Sequence, residues 1–169
     1  MSAANLVAAL NTVEQDHRLV LEKVQALKDV VYFLLDPGDD GPRRALDRLR
    51  DLDGYFGTVF EAHMDEEEMT LFPLLERNKP DGPGLAARLR QEHDEIRRKR
   101  REFGNCLAVA GDLEDHVPRA VLRDLVVFGW ELWEILDNHA GAETRALQRC
   151  VTASLSGGDA PDSAAVPKP

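Results

Sequence analysis

The sequence predicts an all-α protein, an up-down-up-down antiparallel four-helix bundle. Three clusters of turn-forming residues divide the chain: Asp36-Pro37-Gly38-Asp39-Asp40-Gly41-Pro42, Lys79-Pro80-Asp81-Gly82-Pro83-Gly84, and the stretch from Gly111-Asp112 to Pro118. Between them lie four segments of roughly 27 to 37 residues with apolar positions at steps of three and four and no strand-like alternation. Short connections between helices of this length make sequential neighbours antiparallel.

Taken in order, helix A is expected at about 3–35, with a core stripe of Leu6, Leu10, Val13, His17, Val20, Val24, Leu27, Val31 and Leu34. Helix B, at 42–78, begins where Pro42 suits a first helical turn, and its stripe reads Phe56, Phe60, His63, Glu67, Leu71 and Leu74. Helix C, at 84–110, offers Leu85, Leu89, His93, Ile96, Phe103 and Leu107, with Arg100 interrupting the stripe. Helix D, at 118–150, follows Pro118 and contributes Leu125, Leu132, Leu136, His139, Glu143 and Cys150, with Gly129 inside the stripe. From Val151 to Pro169 the composition is Ala, Ser, Gly, Asp and Pro, which buries little and reads as a flexible tail after a single domain spanning 1–150.

Composition bounds the function. At 169 residues the chain holds one domain with a real core. A formal net charge of −10 argues against nucleic acid as a partner. No stretch has the apolar length of a membrane span and no signal peptide is recognised, so a soluble, cytoplasmic protein is expected. Cys106 and Cys150 form no CxxC and suit a reducing compartment as small core residues, a disulfide between them being the less favoured reading.

Four of the five histidines fall inside the core stripes, one per helix. His63-x-x-x-Glu67 and His139-x-x-x-Glu143 repeat the same spacing 76 residues apart. On a helix this places imidazole and carboxylate on one face, a turn apart. Burying such groups unpaired would cost several kcal/mol apiece, so they require partners or a metal. Counting residues from the breaks places His17, His63, Glu67, His93, His139 and Glu143 at a similar height, with mismatches on the order of 3–12 Å at 1.5 Å per residue. Four nitrogens and two carboxylates exceed what one zinc needs and suit a dinuclear centre. If both carboxylates bridge, each ion has two histidines, shared oxygens and an open position. Iron is the natural choice for oxygen chemistry, and zinc or manganese satisfies the same donor set.

Other features carry the simpler reading. His116 sits in a loop beside Pro118 and is expected to be solvated. Glu14-x-x-His17 matches a ferritin-type spacing without a second copy. Glu66 and Glu68 flank the metal turn at 100° off its axis and read as solvated charge. Arg97-Arg98-Lys99-Arg100-Arg101 spreads around the helix as a solvated surface, with Arg97 or Arg100 the two that could turn inward. Phe56, Phe60, Trp130, Trp133 and Leu136 are core, some of them walling the site.

Asp16-His17-Arg18, His63-x-x-x-Glu67 followed by Leu71-Phe72-Pro73, Glu92-His93-Asp94-Glu95-Ile96-Arg97 and His139-x-x-x-Glu143 together resemble the hemerythrin-like (HHE cation-binding) domain family, over about 1–150. The resemblance implies a non-haem site of two iron ions, oxo- or hydroxo-bridged, with His17 and His63 on one iron, His93 and His139 on the other, and Glu67 and Glu143 bridging. Two departures from the oxygen carriers stand out. Arg97 occupies the place of their second helix C histidine, and helix D has His-x-x-x-Glu where they have His-x-x-x-x-Asp. The four-His, two-Glu set is similar to bacterial di-iron proteins linked to nitrosative stress and iron–sulfur cluster repair, whose frequent amino-terminal cysteine-bearing domain these residues do not include.

The expected function is that of a non-haem di-iron protein that binds or reacts with a small diatomic or peroxide ligand (dioxygen, nitric oxide, hydrogen peroxide), in oxidative or nitrosative stress or iron homeostasis. A reversible oxygen-binding or sensing module and a di-iron oxidase acting on an organic substrate are the alternatives. The last requires a cavity beyond the metals, which Gly129 and Gly141 could open.

Overall fold

The computed structural model describes residues 3–35, 42–77, 82–113 and 117–156, with backbone alone at 3–6, 9–10 and 153–156. Every regular element among them is helical: α1 (Ala3–Leu35), α2 (Arg43–Tyr55), α3 (Glu61–Glu66), α4 (Phe72–Glu76), α5 (Gly82–Asp112) and α6 (Arg119–Ser156). The expected helix B is one rod built from α2, α3 and α4, joined by two π-helical turns at Phe56–Phe60 and Glu67–Leu71. His116 and the residues after Ser156 lie outside the described residues, as do the side chains of Leu6 and Leu10.

Cross-helix contacts fix the topology. Glu14 meets Gln148, His17 meets Thr144 and Lys28 lies over Trp133, so α1 and α6 run antiparallel. The α5–α6 pair runs likewise, from Glu92 with His139 to Lys99 with Glu131 and Cys106 with Val121. The second rod descends along α5 from Asp53 beside Arg100 to Glu76 beside Arg90. Against α1 it brings His63 to His17 and Tyr55 to Lys23. The up-down-up-down bundle of the sequence analysis is the architecture present.

The stripes are buried nearly as read. Val13, Val20, Val24, Leu27, Val31 and Leu34 of α1, Leu89, Ile96, Phe103 and Leu107 of α5, and Leu125, Leu132 and Leu136 of α6 are all core. Near the foot of the second rod the reading slips by one residue. Leu74 is only half-buried, whereas Phe72 and Leu75 are fully buried. The cause is the π turn at Glu67–Leu71, where the Phe72 amide donates to the Glu67 carbonyl five residues back. An extra residue in the turn advances every later position on the face. Pro73 supplies the local reason: it has no amide hydrogen and its ring crowds the preceding turn, which a wider turn relieves.

The helix α6 continues to Ser156, six residues beyond the expected end at 150, and Val151 is still buried there. Trp130 and Trp133 cover the α1–α6 seam beside Tyr32 and Lys28. Gly129 is a packing residue, since a Cβ there would lie 2.6 Å from Val31 Cγ2 and 3.3 Å from Phe103. Gly141 faces the flexible end of Arg145. Arg145 also lines the groove that reaches His139. Both cysteines are free thiols, and no described helix is long and apolar enough to cross a membrane.

Two apolar clusters divide the core. The larger includes Leu27, Leu49, Phe56, Phe103 and Leu132; the smaller is Val13, Leu71, Phe72, Leu75, Ala86, Leu89 and Leu147. The only buried polar and charged side chains among the described residues are His17, Glu67, His93, His139 and Glu143. In chain position they fall between the residues of the two clusters, where hydrophobic packing gives way to a polar layer.

Candidate metal centre

All six residues singled out from the sequence converge in that layer. Glu67 is at its middle. Its Oε1 lies 3.0 Å from His63 Nε2 and 3.7 Å from His17 Nε2, while its Oε2 lies 3.4 Å from His93 Nε2. Glu143 Oε2 sits 3.1 Å from His17 Nε2 and 3.8 Å from His139 Nε2. Glu67 therefore lies between two histidines of the α1/α3 side and one of α5, and Glu143 between one of α1 and one of α6. The donor atoms of His17, His63 and Glu67 lie within 4.8 Å of one another, and so do those of Glu67, His93 and His139.

Helix geometry accounts for the convergence. His63 and Glu67 are four apart on the second rod, and His139 and Glu143 four apart on α6, so each pair leans into the layer from one face. α1 and α5 contribute one imidazole each. Phe60 packs beside His63, with ring centroids 5.7 Å apart, and Phe72 beside His93 at 5.1 Å. These rings hold the imidazoles in place and keep water off their faces.

The polar groups are poorly satisfied by one another. Nε2 of His17 and His63 and both oxygens of Glu67 and Glu143 are buried without a hydrogen bond. His93 and His139 approach Nε2 to Nε2 at 3.2 Å. Their Nδ1 atoms face carboxylates, Glu68 at 2.9 Å and Glu92 at 3.0 Å. An ionised carboxylate only accepts, so each Nδ1 carries the proton and each neutral ring turns a bare lone pair toward the other. Two lone pairs at that distance repel unless a cation or a proton stands between them. The orphaned oxygens nearby make the same demand.

The family model of the Hemerythrin HHE cation binding domain matches residues 8–150. The chain belongs to the hemerythrin HHE family. No curated protein and no solved structure matches it. The two His/Glu clusters of this hemerythrin domain are compatible with a dinuclear metal centre, and the orphaned donor set described above fits one.

Electrostatics follow from the packing. Burial by itself lowers the pKa of His17, but the Glu143 and Glu67 carboxylates beside it more than reverse this and push it up to about 9. Burial likewise opposes the charged form of His93, and Glu67 and Glu68 raise it. Glu67 would be raised by burial, yet the imidazoles of His17, His63 and His93 hold it well below the usual carboxylate range. Without a metal, protons on His17 and His93 serve as the compensating positive charge.

The hemerythrin centre also has an outer layer that the sequence reading missed. Glu68 and Glu92, assigned to solvent or not assigned at all, hold His93 and His139 through Nδ1. On the opposite side His17 Nδ1 lies 3.2 Å from Thr144 Oγ1, whose own hydrogen is given to the Ala140 carbonyl at 2.9 Å. The hydroxyl therefore accepts from His17. Arg97 contacts no histidine directly: its guanidinium donates to Glu61 at 2.6 Å and to Asp65 and Glu68 at 2.8 Å. Of the rest of the basic run, Arg98 pairs with Glu95 and Glu102, Lys99 with Glu131 and Glu102, and Arg100 with Asp53, while Arg101 is exposed. Arg100 lies over Gly57, where a Cβ would come within 2.6 Å of its Nη1. Three surface grooves reach the outer edges of His17, His63 and His139.

Proposed function

We propose that this hemerythrin domain is a di-iron protein that binds or reacts with a small diatomic or peroxide ligand, in oxidative or nitrosative stress or iron homeostasis. His17 and His63 would hold one ion and His93 and His139 the other, with Glu67 and Glu143 placed between the two pairs. Iron in such a site supplies redox chemistry toward oxygen or nitrogen ligands.

The observation that carries the reading is Arg97. The oxygen carriers place a fifth histidine at this position, and here a guanidinium locked by three carboxylates stands instead. Two histidines and shared carboxylates would supply each ion with fewer than six donors, which would leave both able to accept a ligand. Open positions on both ions favour reaction over reversible carriage. The burial of the donors favours a small ligand: even His63, the outermost of the six, has a side chain only 13 % exposed. Phe60 and Phe72 line the donors with apolar surface, which suits a weakly polar diatomic. The two free thiols fit a reducing, cytoplasmic setting.

The test is an anaerobic titration of the full chain with ferrous iron, followed by oxygen, degassing and, separately, nitric oxide. Binding of two irons per chain and oxidation by oxygen that degassing does not reverse are expected. An oxygen-dependent absorption band that vanishes on degassing would move the function to reversible binding or sensing. A chain that takes up no iron would overturn the proposal.

A further inference from the structure

The two halves of the centre are built alike in the donors that face inward and differently in what stands behind them. Behind His93 and His139 are two carboxylates, Glu68 and Glu92, each at hydrogen-bond distance from Nδ1. Behind His17 is a neutral hydroxyl, Thr144. The His63 ring packs between His17, at a centroid distance of 5.4 Å, and Phe60. Among the described residues no carboxylate hydrogen-bonds to Nδ1 of His17 or His63. Asp16 and Glu66 line the groove outside His63 without such a bond.

The carboxylate side is also fixed in place. Glu68 is held by Arg97, which Glu61 and Asp65 anchor in turn, so four side chains of the second rod and α5 form one network ending at His93. Glu92 takes a second contact from Arg88 at 3.5 Å. Each of these carboxylates thus faces a guanidinium on one side, Arg97 for Glu68 and Arg88 for Glu92, and a histidine Nδ1–H on the other. An anion at Nδ1 raises the electron density at Nε2 and fixes the ring's tautomer and orientation, and the removal of such partners typically weakens metal binding by 10- to 100-fold.

We propose that Glu68 and Glu92 are positioning residues that make the two metal sites unequal, so that the ion held by His93 and His139 binds first, binds tighter and favours the higher oxidation state. The inference rests on the metal-centre reading above and extends it to groups that touch no metal. Arg97 acquires a purpose here: it replaces a would-be ligand and anchors the carboxylate that strengthens the neighbouring one.

The experiment is a cobalt(II) titration of the full chain in competition with a chelator, comparing wild type with Glu68→Gln, Glu92→Gln and, as a control for charge on the same turn, Glu66→Gln. Glutamine keeps one acceptor oxygen for the imidazole N–H and removes the charge, and circular dichroism of the metal-free variants checks their folding. Wild type is expected to give two separate constants. Glu68→Gln and Glu92→Gln should each weaken the tighter one by about tenfold or more and leave the weaker within about twofold. Glu66→Gln should change neither. With one equivalent of cobalt, the paramagnetically shifted exchangeable imidazole protons should be those that Glu68→Gln and Glu92→Gln move. Equal weakening of both constants, or none, would overturn the inequality while leaving the metal centre intact. A wild-type chain that binds no cobalt and no iron would instead overturn the metal-centre reading, and this inference with it.

Discussion

At Glu67 one carboxylate serves both halves of the centre, because Oε1 faces His17 and His63 while Oε2 faces His93. Truncation at this position therefore opens both sites at once, and Glu143 is placed to act similarly between His17 and His139. Glu67→Ala and Glu143→Ala should each lose about half or more of the bound iron, measured by elemental analysis after desalting; full occupancy with an unchanged spectrum would sink the bridging assignment. His17 provides a pH signature of the metal-free protein. The groups facing it are Glu67 and His63 from the second rod and Glu143 and Thr144 from α6. Its folded pKa, near 9, is above the ordinary 6.5. The proton thus contributes stability that is complete below about 6.5 and lost as the pH rises through 9, on the order of 3 kcal/mol in all. Glu67, depressed by the same contacts, has the opposite sign: its contribution is present above the usual carboxylate range and lost in acid. Chemical denaturation of the apoprotein should accordingly show a midpoint that falls between pH 6.5 and 9; a midpoint that rises over this window would remove the carboxylate–imidazolium pairing. The six inner residues were legible in the sequence because a polar residue inside an apolar stripe announces its own burial. Glu68 and Glu92 were not. A residue 100° off the stripe faces either solvent or the next helix, and which of the two depends on the direction in which the bundle turns, which no single helix records.

Among the elements, the second rod departs furthest from the sequence reading. Its stripe runs through Phe60, Met64, Glu67, Leu71 and Leu75, and the step from 67 to 71 to 75 includes a widened turn just before Pro73. A proline at a helical position is visible in sequence, but whether the helix breaks, kinks or widens depends on what the neighbouring helices require. Here Phe72 must reach His93, and Leu75 must reach the lower apolar cluster. The end of α6 was misjudged for a related reason. Small residues after Cys150 have little to bury, yet Val151 packs at the surface of the core and the helix continues through Ser156. Gly129 was legible as a position within the stripe but not in its purpose. At this position α6 leaves no room for a Cβ against Val31 and Phe103. Both neighbours belong to the main core, so a methyl group at 129 has no flexible side chain to displace. Gly129→Ala should lower stability by about 1–3 kcal/mol despite the better helix propensity of alanine. Thermal melting checks this: an equal or higher midpoint would mean that the α1–α6 contact is looser than the packing indicates.

For the molecule as a whole, each long rod delivers at least one donor to the same layer, so the centre ties the four rods together. The metal-free state must instead hold two buried carboxylates and four imidazoles with their inner atoms largely unpaired. That arrangement is tolerated because protons can occupy the imidazoles, at the expense of leaving Nε2 of His93 and His139 facing each other at 3.2 Å. Metal ions bound there would replace those protons, draw donors from all four rods and require the assembled layer. Any such ligand stabilises the folded state by mass action, about 2.7 kcal/mol for each ion at a hundredfold excess over its dissociation constant. For a chain of this size that corresponds to roughly 5–10 °C per ion in the melting midpoint. Dialysis against a chelator should lower the midpoint by that amount for each ion removed, and ferrous iron or zinc should restore it. Magnesium, which prefers oxygen donors in octahedral geometry, should not. A midpoint that ignores chelator and metal alike would mean that the polar layer is held by protons alone. Restoration by zinc but not by ferrous iron would keep the layer as a metal site and remove iron as its occupant.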